Sequence, residues 1–123
     1  MKLHLASPKG INVFTGYGPG YVAVNGVAHH APLVVLPDLP AAHWPVAGLP
    51  MLTAEAVAKL LEHSPEIIIL GTGATQQFPG PAALQPLQAE RVGLEIMDTP
   101  AACRTYNILV AEERRVLAAI WLP

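Results

Sequence analysis

The residues GTGATQQFPG (71–80) follow directly on the apolar run EIIIL (66–70). A glycine-rich, threonine-bearing loop after a strand is a frequent phosphate cradle in α/β proteins. The dinucleotide pattern G-x-G-x-x-G needs glycine at 76, where Gln76 stands, and neither Glu90 nor Glu95 is cleanly placed to hold a ribose. No Gly-Lys-Ser/Thr follows, so a Walker loop fails as well. Phe78-Pro79-Gly80-Pro81 delays any helix and removes the dipole that would face a phosphate. A plainer anion site stays open. Backbone N–H groups of 71–75, aided by Gly71, Thr72, Gly73 and Thr75, would form a nest facing a helix start at Asp98-Thr99, with Arg104 in reach. The alternative is a turn whose glycines supply positive φ or close backbone approach.

The other reactive residue types offer less. His29 and His30 are adjacent, so on a strand they point to opposite faces and cannot easily share a metal with His43. We expect no metal site and no cofactor. No G-x-S-x-G elbow exists, and Ser7 and Ser64 both precede proline. Cys103 lies near a helix N-terminus beside Arg104, which would favour a thiolate; the other reading is a small packing residue. Glu95 and Asp98 form no carboxylate pair of the glycosidase kind. No complete catalytic constellation emerges.

The elements that must position these residues fall into two halves. INVFTGY, YVAV and VAHHAPLVVL (11–36) are apolar runs separated by Gly18-Pro19-Gly20 and Asn25-Gly26. Asn-Gly between such runs is a type I′ hairpin signal, so this half is antiparallel β. Residues 37–52 carry prolines at 37, 40, 45 and 50 and read as an irregular connection. Its apolar side chains either cap the core or, through Leu39, Trp44 and Val46, face a partner.

From Thr53 the pattern becomes α/β. Thr53 caps a helix with Ala56, Val57, Leu60 and Leu61 on one face, ending at Ser64-Pro65. EIIIL is a strand covered on both faces. Pro86 opens a helix to about Arg91, and GLEIM (93–97) is the next strand. Thr99 as N-cap and Pro100 at N1 open the last helix, with Ala102, Thr105, Tyr106, Leu109 and Val110 in one stripe. VLAAIWL (116–122) closes a β-α-β-α-β order.

Composition narrows the classes of function. The chain has 123 residues, 52% of them hydrophobic and 13% charged, against the roughly 25% charged of ordinary domains. One domain over 1–123 is the expected organisation. Its seven Lys and Arg are scattered apart from Arg114-Arg115, and net charge is -2, which argues against nucleic acid. No apolar run approaches the roughly 20 residues of a membrane span, so no direct membrane insertion is expected. A single cysteine and a start, MKLHLASPKG, without a secretory apolar region fit a reducing, cytoplasmic setting. Low charge suits a protein partner, and a monomer or weak homo-oligomer.

EIIILGTG, then GLEIMDTPAACRTYNILVAEERRVLAAIWLP, resembles a small domain family. It includes the mitochondrial complex I assembly factor 3 homologues and many bacterial and archaeal proteins. The residues that carry the resemblance are Leu70–Gly73, Asp98-Thr99, Ala102, Thr105-Tyr106-Asn107 and Glu113–Ala119, with the Pro-rich region of Trp44 similar too. The resemblance implies a three-layer α/β fold with a mixed central sheet and an N-terminal β layer. It also implies no established enzymatic activity, and in the eukaryotic relatives a role in assembly of NADH:ubiquinone oxidoreductase.

Overall fold

The computed structural model describes residues 10–123; Ser7, His4 and the rest of the N-terminal stretch read above lie outside the described residues. The order is β1 (Phe14–Gly18), β2 (Tyr21–Val24), β3 (Val27–His29), β4 (Leu33–Leu36), β5 (Leu39–His43), α1 (Ala54–Leu61), β6 (Ile67–Thr72), α2 (Pro86–Ala89), β7 (Gly93–Met97), α3 (Thr99–Ala111) and β8 (Val116–Trp121). β1, β2 and β3 form an antiparallel sheet of three. The other five form a mixed sheet in the order β5-β4-β8-β6-β7, in which the β5–β4 and β4–β8 pairs are antiparallel and the β8–β6 and β6–β7 pairs are parallel. The expected mixed α/β fold with an N-terminal β layer is the one found.

Period-two alternation explains why the central strands are apolar throughout. In β8, Val116, Ala118 and Ile120 face one cluster while Leu117, Ala119 and Trp121 face the other. Leu33 and Val35 oppose Val34 and Leu36 in the same way on β4. A strand buried on both sides has no polar positions to spare. The first face is covered by α3 and the small sheet through Phe14, Tyr17, Val22 and Tyr106. The second is covered by α1, α2 and the segment carrying Trp44 and Val46, through Leu60 and Leu87.

The hairpin reading at Asn25-Gly26 holds, with φ of 50° and 83° at the two positions. Thr53 caps α1 by accepting from the Ala56 N–H at 3.1 Å. Four details differ from the sequence reading. VAHHAPLVVL is two strands in different sheets, β3 and β4, because the chain leaves the small sheet between them. Part of the supposed irregular connection is β5, an edge strand paired with β4, followed by a 3-10 turn over Leu49–Met51. An edge tolerates proline where its missing N–H would face outward, which is how Pro40 fits. The N-cap of α3 is Asp98, whose Oδ1 accepts from Ala101 N–H at 2.8 Å, and not Thr99. Finally, β6 runs through Thr72, so Gly71 and Thr72 belong to the strand and the loop begins later.

Candidate functional site

Two places gather the candidate residues. The first is the carboxyl end of β6 against the start of α3. Gly73 N–H donates to Thr99 Oγ1 at 2.9 Å, and Thr99 N–H donates to the Gly73 carbonyl at 2.8 Å. The Thr99 hydroxyl in turn donates to the Trp121 carbonyl at 2.5 Å, tying in the end of β8. Thr72 Oγ1 lies 2.7 Å from the Thr75 carbonyl and 3.2 Å from that of Met97, and accepts from Gln77 N–H at 3.1 Å. Thr72 and Thr99 are both buried, as a fully hydrogen-bonded hydroxyl can be. Gly71 is required by contact: a Cβ there would lie 2.7 Å from Ile120 Cγ2 and 3.0 Å from Thr99 Oγ1.

The seven residues read as an anion crevice are thus divided. Gly71, Thr72, Gly73 and Thr99 form a closed knot whose donors already have partners. Asp98 is occupied with its cap and Thr75 is exposed. Arg104 turns to the small sheet, where its guanidinium donates to Tyr17 Oη at 2.7 Å and lies 6.0 Å from that ring. Cys103 is fully buried, and burial pushes its thiol up to about 12 against the opposing pull of Arg104. That is the packing reading of the cysteine, not the reactive one.

The second place is a groove of about 550 Å³ on the opposite face of the sheet, between β5 and α1. It lies beside α1, which has only eight residues, over the β4–β5 margin of the sheet. Val34, Leu36, Trp44, Val46 and Leu60, all buried, form its floor. Trp44 stacks on Trp121 with centroids 5.0 Å apart, and Trp121 Nε1–H donates to the Val46 carbonyl at 2.7 Å. The rim is exposed: Leu39 at 38% and Met51 at 63%.

Of the three residues read as partner-facing, only Leu39 is exposed. Trp44 and Val46, at 4% and 6%, are groove floor, because the sheet's bare margin needs their apolar bulk. Sequence reasoning missed the polar wall of the groove. Glu55 and Lys59 on α1 and His63 just past its end recur every four residues and line one side of it together. Their spacing was visible, but without β5 there was no second wall to set them against.

The fold closely matches the crystal structure of a Bordetella parapertussis protein, at a TM-score of 0.88 and 41% identity, covering 94% of this chain and 98% of that one. It also matches the solution structure of a Bordetella pertussis protein described as a Mth938-like domain, at 0.81 and 37% identity, covering 100% and 92%. Residues 14–121 match the family described as "Protein of unknown function (DUF498/DUF598)", and the chain belongs to it. The zebrafish NADH dehydrogenase [ubiquinone] 1 alpha subcomplex assembly factor 3 is 34% identical over 113 residues, 90% of this chain. The bovine protein of the same name is 31% identical over 123 residues, 98% of this chain. The chain spans 64% and 65% of the length of those two relatives. Among the described residues no helix is long and apolar enough to cross a membrane.

Proposed function

We propose that this chain is a non-catalytic protein-interaction module of the cytoplasm that assists assembly of a respiratory complex of the NADH:ubiquinone oxidoreductase kind. The observation that carries the reading is the similarity to assembly factor 3 along 90% of the chain. The face with the groove supports it: exposed Leu39 and Met51 flank an apolar hollow on a chain poor in charge. Contiguous exposed apolar surface of this kind is where partners dock.

The test is deletion of the gene in its own organism, followed by native-gel separation of respiratory complexes. Accumulation of partial complex and loss of the full-size form is the expected outcome, with rescue by the intact chain and poor rescue by Leu39→Asp or Met51→Asp. Both positions are exposed, so these variants keep the fold. Full-size complex at the normal level in the deletion strain overturns the assembly role.

A further inference from the structure

We propose that the groove between α1 and β5 binds a small amphipathic monocarboxylate, its apolar tail on the Trp44 floor and its carboxylate beside Lys59 and His63. This proposal does not rest on the assembly role. The groove volume of about 550 Å³ lies within the range of small-molecule sites, roughly 300–1,000 Å³, and its lining is apolar with a few polar groups, as such sites are.

Polarity runs along the groove. Arg115 donates to the His63 carbonyl at 3.1 Å and to Asp38 Oδ1 at 2.8 Å, which sets the end of α1 beside the start of β5. At the other end His43 leads into Trp44, Val46 and the turn at Met51, next to Thr53 and Glu55. The charged lining groups are Glu55 and Lys59, with the imidazoles of His43 and His63. Asp38 near His63 is neutralised by its ion pair with Arg115. Lys59 has no ion pair among the described residues, so it is the cation left to receive a ligand. Glu55, one turn away, disfavours a second negative charge, which selects a monoanion over a phosphate dianion.

A peptide strand fits less well. Pro40 removes a donor from the outer edge of β5. An added strand would find one of that short edge's donors missing.

Amide NMR titration of the purified chain with decanoate, and with decyltrimethylammonium as the cation of matched tail, tests the proposal. Decanoate is expected to shift Lys59, Leu60 and the Trp44 and Trp121 indoles at concentrations below about 1 mM. The cation should bind at least about fivefold more weakly, the worth of one exposed charge pair. Ala42→Trp fills the groove from an exposed position and should abolish the shifts, while Lys59→Gln should weaken decanoate about fivefold and should not weaken the cation. No shift at about 1 mM decanoate, equal binding of the cation, or shifts that survive Ala42→Trp each overturn it.

Discussion

Gly73 and Thr99 hold each other by two hydrogen bonds of opposite direction, backbone to hydroxyl at 2.9 Å and backbone to backbone at 2.8 Å. The end of one strand and the start of the next helix are thereby fixed, and the Thr99 hydroxyl extends the tie to a second strand end at Trp121. Thr99→Val keeps the shape and leaves the Gly73 N–H and the Trp121 carbonyl buried with one partner fewer. A loss of about 2–4 kcal/mol is expected in urea unfolding, since each orphaned buried group costs about 1–3 kcal/mol. Thr99→Ser keeps the hydroxyl and should retain most of the stability.

Gly71 tests the same junction by steric means. Its added Cβ would meet Ile120 Cγ2, Thr99 Oγ1 and, at 3.2 Å, Ala102 Cβ, none of them the free end of a flexible chain. Gly71→Ala should cost about 1–3 kcal/mol, as overpacked cores do. An unchanged unfolding midpoint would show that the strand and helix can part without loss.

Asn107 on α3 binds the small sheet. Its Oδ1 accepts from Phe14 N–H at 2.9 Å and its Nδ2 donates to the Phe14 carbonyl at 2.8 Å, all buried. Asn107→Leu strands both backbone groups and should cost about 2–4 kcal/mol. Hydrogen exchange should quicken in β1 and β2 before it does in β6 and β8, because the lost bonds hold only the small sheet.

Cys103 gives a pH dependence. Its thiol is raised from 9.0 to about 12 by burial, so the unfolded chain loses the proton first as pH rises. Stability is therefore intact below about pH 9 and falls between about 9 and 12, with a slope near 1.4 kcal/mol per pH unit for one group. Tyr106, also raised by burial, adds to the fall above about pH 10. Denaturant midpoints from pH 7 to 10.5 should show this, and Cys103→Ala should flatten the part that starts near 9. At neutral pH an aromatic disulfide reagent should label Cys103 only as fast as the chain opens.

Much of the architecture could be read from residue patterns, because double-sided burial writes itself as unbroken apolar runs at EIIIL and VLAAIWL and a tight hairpin writes itself as Asn-Gly. β5 could not, since LPAAH holds a proline and two alanines, and only pairing with β4 makes it a strand. The Asp98-for-Thr99 shift is a one-residue ambiguity between two good caps; burial of Thr99 against Gly73 decides it. The crevice drawn between the loop and the helix was ambiguous for a related reason. Threonines and glycines that could greet an anion serve equally to close the gap between two backbones, and only the distances tell these apart. The groove was hidden because its two walls come from segments that spacing alone does not bring together.

The central place of β8 has a consequence for the order in which the chain can be assembled. β8 is the last of the eight strands among the described residues, yet it lies between β4 and β6, with Leu33 opposite Ile120 and Ile67 beside Val116. Until it arrives, β4 with β5 and β6 with β7 are two separate pairs with no shared hydrogen bond. A chain still emerging from the ribosome therefore holds Val35 and Ile69 uncovered until residues 116–121 are free to join them. Pairings so distant in sequence also make for slow closure. The core cannot close before residues 116–121 have been made.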